Sequence, residues 1–175
     1  RLPAVWSEGL EDFLEALRVE AGLARNTLAA YRAALTRCAR GADRRGIAGW
    51  EALDPEDVVD YLAARRAAGR AEASVAQDLT ALRMLARHLV REGFARRDPT
   101  ALLTSPVLAR ALPPVLSIQE VERLLAAPDG PGWRDQRDRA LLELLYACGA
   151  RVAEATGLRT DGVEPSLRVV RLTGK

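Results

Sequence analysis

A chain of 175 residues, 49% hydrophobic and 29% charged, holds apolar material for one sizeable core or two small ones, so one or two domains are expected. No apolar run approaches the roughly 20 residues of a membrane span, and Arg1-Leu2-Pro3 lacks the order of a signal peptide, so a soluble, cytoplasmic chain without a membrane partner is expected. A net charge of +2 argues only weakly for nucleic acid when taken as a sum.

The first amphipathic helix is predicted through Leu10, Phe13, Leu14 and Leu17, stopping at Gly22. Asn26 reads as the N-cap of a second helix, with Leu28, Tyr31, Leu35 and Cys38 as its apolar stripe and Gly41 as its end. Asp54 before Pro55 is a cap with proline at the first helical position, opening a third helix through Val58, Val59, Tyr61 and Leu62 to Gly69. Ser74 lies near the start of a fourth, whose Val75, Leu79, Leu82, Leu85 and Leu89 run to Gly93. Four short helices with brief loops predict a bundle.

Pro99, Pro106, Pro113 and Pro114 break the pattern, which predicts an interdomain linker. Ser117 and Glu120 then form a capping box ahead of Val121, Leu124 and Leu125, and a further helix runs from about Asp135 to Cys148. A helical turn around Val152 to Thr156 follows, and Leu167 to Leu172 alternates as a single β-strand would, one without a pairing partner. Cys38 and Cys148 have no partner at ligand spacing and are expected to be buried, with no metal site. Tyr31, Tyr61 and Tyr146 fall on apolar stripes and are expected in the core. His88, the only histidine, is expected to pack or to face a polyanion rather than catalyse.

Charge distribution says more than the sum. Arg18, Arg25, Arg32, Arg37, Arg40, Arg44 and Arg45 occupy one basic stretch, and Arg65, Arg66, Arg70, Arg83, Arg87, Arg91, Arg96 and Arg97 a second. Acids gather instead near helix starts, where the macrodipole favours them, which would leave both stretches for phosphate. Solvated helix faces are the alternative on charge alone. Lys175 is the only lysine in a chain that otherwise uses arginine for every cation. A guanidinium cannot release its proton near neutral pH and an ammonium with a lowered pKa can, so a general acid is one of few roles in which arginine cannot substitute.

Several ordered motifs resemble one family. Leu23-Ala24-Arg25-Asn26-Thr27-Leu28-Ala29-Ala30-Tyr31-Arg32, Thr80-Ala81-Leu82-Arg83, Leu89-Val90-Arg91-Glu92-Gly93 with Asp98-Pro99, and Leu141 to Glu154 around Gly149-Ala150-Arg151 are similar to Xer-type tyrosine site-specific recombinases. The resemblance covers nearly the whole chain, from about Phe13 to Lys175. It implies a mainly α protein: a four-helix SAM-like core-binding bundle over residues 1–104, a linker over 105–116, and the incomplete first part of an α+β catalytic domain over 117–175.

By position, the resemblance makes Arg151 the first catalytic arginine, which contacts the scissile phosphate, and Lys175 the catalytic lysine. Physical need agrees on the arginine: attack on a phosphodiester builds charge on non-bridging oxygens, and a planar fork of donors stabilises it. Glu154 receives a supporting or structural role, and Arg25, Thr27, Arg32, Ser74, Gln77, Arg83 and Arg87 are the expected DNA contacts. Ala150, Ala153 and Ala155 depart from the family's usual leucine, serine and leucine, and Gln77 from its usual arginine. The resemblance further implies double-stranded DNA at a recombination site, partner protomers in a tetramer, a possible cell-division DNA translocase, a 3′-phosphotyrosyl intermediate, and neither metal nor nucleotide cofactor. The family's His-x-x-Arg motif and tyrosine nucleophile would follow Lys175, so this chain alone is expected to be inactive. Chromosome dimer resolution is the first expectation. A mobile-element integrase, a non-catalytic DNA-binding truncation and a helical protein-binding scaffold are the alternatives.

Overall fold

The computed structural model describes residues 2–105 and 114–174, and the chain divides into two compact units, residues 1–110 and 111–175. The first unit carries four helices, α1 (Ala4–Val19), α2 (Arg25–Arg44), α3 (Pro55–Ala67) and α4 (Glu72–Arg91), with a 3₁₀ turn at Trp50–Ala52. Helix α2 packs on α1, α3 and α4, and α4 also on α1 and α3.

The predicted stripes supply the core. Trp6, Leu10, Phe13, Leu14 and Leu17 of α1 meet Leu35, Cys38 and Ala39 of α2, Val58 and Leu62 of α3, and Val75, Leu79, Leu82, Leu85 and Leu89 of α4. Two tryptophans tie α1 to the turn after α2: Trp50 Nε1 donates to the Trp6 carbonyl at 2.8 Å, and the rings meet edge to face at 4.8 Å. A side chain at Gly49 would meet Val5 and the Glu51 carboxylate at 2.8 Å, so this close approach requires glycine.

Asp54 and Pro55 open α3 as expected, with the Asp54 N–H donating to the Asp57 carboxylate at 3.0 Å. The start of α2 differs from expectation. Its cap is Ala24 rather than Asn26, because Leu23 and Leu28, which flank the cap at the positions of a hydrophobic staple, both pack on the core and start the helix earlier. It also runs past Gly41 to Arg44, since the buried face continues to Ala42.

The second unit carries α5 (Ile118–Ala126), α6 (Trp133–Cys148), α7 (Val152–Thr156) and a two-residue hairpin, β1 (Val163–Glu164) and β2 (Val169–Val170). The predicted strand over Leu167 to Leu172 shrinks to β2. It is not unpartnered: it runs antiparallel to β1, with Val163 opposite Val170. Arg168, in the left-handed region at φ 53°, turns the chain just before β2. Among the described residues of this unit only Ala155 is buried. Tyr146 is 64% exposed and Cys148 is exposed, against the expectation that both lie in a core: α6 packs on α5 and α7, but the described residues of the unit bury no side chain of α6.

Candidate nucleic-acid interface

Packing leaves one face of α2 and one of α4 in solvent. On α2 that face carries Arg25, Arg40 and Arg44, with Thr27 half-buried at its edge; on α4 it carries Gln77 and Arg87, with Ser74 exposed in the first turn. Arg32 and Arg83 are already engaged. The Arg32 guanidinium makes a two-point ion pair with Glu11 of α1, Nη2 to Oε2 at 2.7 Å, which holds the Glu11 carboxyl below its ordinary range. Arg83 donates to the Leu103 carbonyl at 2.6 Å and the Ser105 hydroxyl at 3.1 Å, tying α4 to the chain that leaves the bundle.

The expectation that both basic stretches stand clear of acid is corrected. Arg18 pairs with Glu15, Arg37 and Arg65 with Asp78, Arg45 with Asp57, Arg66 with Glu72, and Arg97 with Asp54. Neighbouring helices bring together charges that are far apart in sequence. Seven cations of the two stretches, Arg25, Arg40, Arg44, Arg70, Arg83, Arg87 and Arg96, have no ion pair among the described residues, Arg83 being held by the hydrogen bonds just described.

Sequence reasoning missed the group at the centre of this arrangement. Asp78 is 3% exposed, yet its Oδ1 accepts from Arg37 Nη2 at 2.9 Å and its Oδ2 from Arg65 Nε at 2.7 Å and Tyr61 OH at 3.0 Å. A buried carboxylate is tolerated only when its lone pairs are filled, and here three donors from two other helices fill them. Its signal was available: a charge between Val75 and Leu79 on the apolar stripe of α4. Burial first, and then Asp78, push the Tyr61 phenol well above its ordinary pKa. His88 is buried against Phe13, its Nε2 2.8 Å from Asp12, so packing and not an outward contact explains it.

In the second unit Gly149 caps α6 in the left-handed region at φ 59°, its N–H donating to the Leu145 carbonyl at 3.0 Å. Ala150 follows, and Arg151 is then the N-cap of α7. The Glu154 carboxylate accepts the Arg151 backbone N–H at 2.9 Å and its Nη1 at 2.8 Å, and these bonds hold its pKa below the ordinary carboxylate value. The Arg151 side chain remains 83% exposed. Glu154 thus braces a guanidinium whose other nitrogens face solvent. Lys175 lies outside the described residues. Among those described, no helix is long and apolar enough to cross a membrane, and no group of three or more His, Cys, Asp or Glu is placed to hold a metal.

A compact four-helix unit with a basic outer face, followed by an arginine at a helix cap, defines a class. Residues 10–93 match the phage integrase N-terminal SAM-like domain. The chain is 40% identical over 166 residues to the tyrosine recombinase XerD of Pseudomonas aeruginosa, covering 95% of this chain and 55% of that one. It is 42% identical over 166 residues to the XerD of Xanthomonas axonopodis pv. citri (95% and 54%), and 40% identical over 174 residues to that of Yersinia pestis (95% and 55%). Over nearly its whole length the chain is similar to Xer-type tyrosine recombinases, and it spans about half the length of these relatives.

Proposed function

We propose that this chain is the DNA-binding portion of a tyrosine recombinase, joined to the opening of its catalytic domain. The observation that carries the reading is the similarity over 95% of the chain to recombinases called XerD, which takes in both the helical unit and the segment around Arg151. The first unit, taken as residues 1–104 with a linker over 105–116, grips duplex DNA through the outer faces of α2 and α4, with Arg25, Thr27, Ser74, Gln77 and Arg87 as contacts. Arg32 and Arg83 take part from the flanks by exchanging or sharing their present partners.

Arg151 contacts the scissile phosphate, where its free donors stabilise charge on the non-bridging oxygens as the nucleophile attacks. Glu154 holds it in position. Lys175 protonates the 5′-oxygen as it leaves. In this reading the 3′-phosphotyrosyl bond is formed by a tyrosine outside residues 1–175, as the family resemblance implies. The reaction serves chromosome dimer resolution, in a tetramer of recombinase protomers on paired sites, with a cell-division DNA translocase as regulator.

The test has two arms. Residues 1–175 should bind duplex DNA with a salt-dependent affinity and leave a suicide substrate uncleaved. A protein of the relatives' full length carrying Arg151→Ala should bind normally and lose cleavage. Salt-independent binding, or covalent attachment of DNA to residues 1–175, would overturn the assignment.

A further inference from the structure

The outer face of α2 carries Arg25 at one end and, at the other, Arg40 and Arg44, where it borders a second feature. There α2 and α3 enclose a groove of 610 Å³, lined by Arg37, Arg40, Arg44 and Arg45 from α2 and its cap and by Arg65 from α3, over a floor that includes Cys38 and Tyr61. Cations complement the C-terminal end of a helix dipole, which explains Arg44 and Arg45 and nothing more. It does not explain why two further guanidiniums line the same groove while bonded to a buried carboxylate.

Each arginine there has a different state. Arg45 is paired with both acids of the groove, Asp57 and Asp60, the latter at 3.4 Å. Arg37 gives Asp78 only Nη2, and Arg65 only Nε. Each keeps its remaining donors, and the Arg37 side chain is 43% exposed. Arg40 and Arg44, one helical turn apart, are exposed and have no ion pair among the described residues. The groove's two acids are thus taken up by one arginine, and two pinned and two free guanidiniums remain. Two pinned forks beside two exposed ones can meet successive phosphodiesters, each a tetrahedral monoanion with two non-bridging oxygens, whereas a lone carboxylate would engage only one fork. The groove also lies on the helix whose other end carries Arg25, about 28 Å away along the axis, so one polyanion can meet both.

We propose that the α2–α3 groove, which continues the α2 outer face at Arg40 and Arg44, binds the phosphodiester backbone of DNA as a contact additional to Arg25, Thr27, Ser74, Gln77 and Arg87, and that Asp78 is the positioning residue that pins Arg37 and Arg65 into it. This rests on the DNA-binding reading above and extends its footprint. Asp78 reaches no phosphate itself. Its charge fixes two donors that would otherwise repel one another and swing into solvent, so the groove meets its ligand already arranged.

The experiment is a fluorescence-anisotropy titration of the 175-residue chain with a labelled duplex over a range of salt. Each lost phosphate contact lowers the slope of log affinity against log salt by about 0.9. Arg40→Ala with Arg44→Ala should lower it by about 1.8, whereas Arg18→Ala, on α1, should leave it unchanged. Asp78→Asn discriminates more sharply. It removes a negative charge, so a role through net charge alone predicts tighter binding at low salt; positioning predicts weaker binding and a smaller slope. Arg37→Ala should match it and add little in the Asp78→Asn background.

Thermal melts by circular dichroism establish that each variant is folded. If Asp78→Asn is not, the Arg40→Glu/Arg44→Glu variant carries the test, because both side chains are exposed, and unaltered binding by it would overturn the proposal. A wild-type chain that binds no DNA sinks the DNA-binding reading itself. Normal binding with a slope unmoved by the groove variants, or competition by polyglutamate for the groove with that slope unmoved, overturns the groove alone.

Discussion

The two units are built by different means. In the first, every helix buries a stripe, and the largest side chains, Trp6, Phe13, Leu35, Leu79 and Leu85, are less than 2% exposed. In the second, α5 has the pronounced amphipathic pattern of a core helix and buries no residue, while Ile118 is 78% and Trp133 66% exposed. What orders the second unit locally is hydrogen bonding at its ends: the Ser117 and Glu120 reciprocal cap, left-handed Gly149, and the Arg151 to Glu154 clamp. The difference teaches that a stripe records a surface awaiting cover, and only a partner element turns it into stability. In the first unit the stripes meet one another within residues 1–110; in the second, α6 packs on α5 and α7, yet among the described residues only Ala155 becomes buried.

Thiol chemistry gives the largest contrast. Burial pushes the Cys38 thiol up to about 12, and the side chain is 2% exposed, whereas Cys148 is exposed at the end of α6. Because thiolate is the reactive form and Cys38 is buried, Cys38 should react orders of magnitude more slowly than exposed Cys148 near pH 8, and only through opening of the bundle. Mass spectrometry after a short pulse of iodoacetamide should find one label, at Cys148. Equal labelling would mean that the bundle opens as readily as the second unit.

Core truncation comes next. Phe13→Ala should destabilise the first unit by about 3–5 kcal/mol, the usual cost of removing a buried ring. Leu124→Ala, at a position 46% exposed, should fall within about 0.5 kcal/mol. Urea melts of the two variants measure both. A large loss from Leu124→Ala would show that α5 has a buried partner after all.

The same asymmetry explains what the sequence disclosed. The bundle was legible because each of its stripes has a matching neighbour, and Asp54-Pro55, Ser117-Glu120 and the turn at Val152 to Thr156 could be placed because caps act over three or four residues. Asn26 misled because propensity at a cap yields to the packing of Leu23 and Leu28. Tyr146 and Cys148 misled because periodicity cannot say whether a stripe is covered. On the site, Arg25, Ser74, Gln77, Arg87 and Arg151 all reach solvent, as a contact role requires. The pairing of Arg32 with Glu11, and of Arg37 and Arg65 with Asp78, was invisible because those partners are brought together only by the crossing of helices.

The smallest effect lies at the start of α5, where the cap acts without help from a core. The Ser117 hydroxyl accepts the Glu120 N–H at 3.3 Å, and the Glu120 carboxylate accepts the Ser117 N–H at 2.8 Å, which with the Ser117 hydroxyl holds that carboxyl below its ordinary value of 4.5. A carboxylate whose folded pKa is depressed contributes stability that is fully present above the unfolded value and lost as pH falls through the folded one. Fraying of α5 should therefore begin only below pH 4.5. Ser117→Ala removes the other half of the cap at any pH, typically a loss of about 1 kcal/mol, so amides in the first turn of α5 should exchange about fivefold faster at neutral pH. The comparable cap at Asp54 sits on a helix with a buried stripe, and Asp54→Ala should change exchange in α3 less, since there opening is resisted by Val58 and Leu62 as well. Hydrogen exchange read by NMR across both helices decides it: equal acceleration in α3 and α5 would mean that core packing lends α3 no protection beyond its cap.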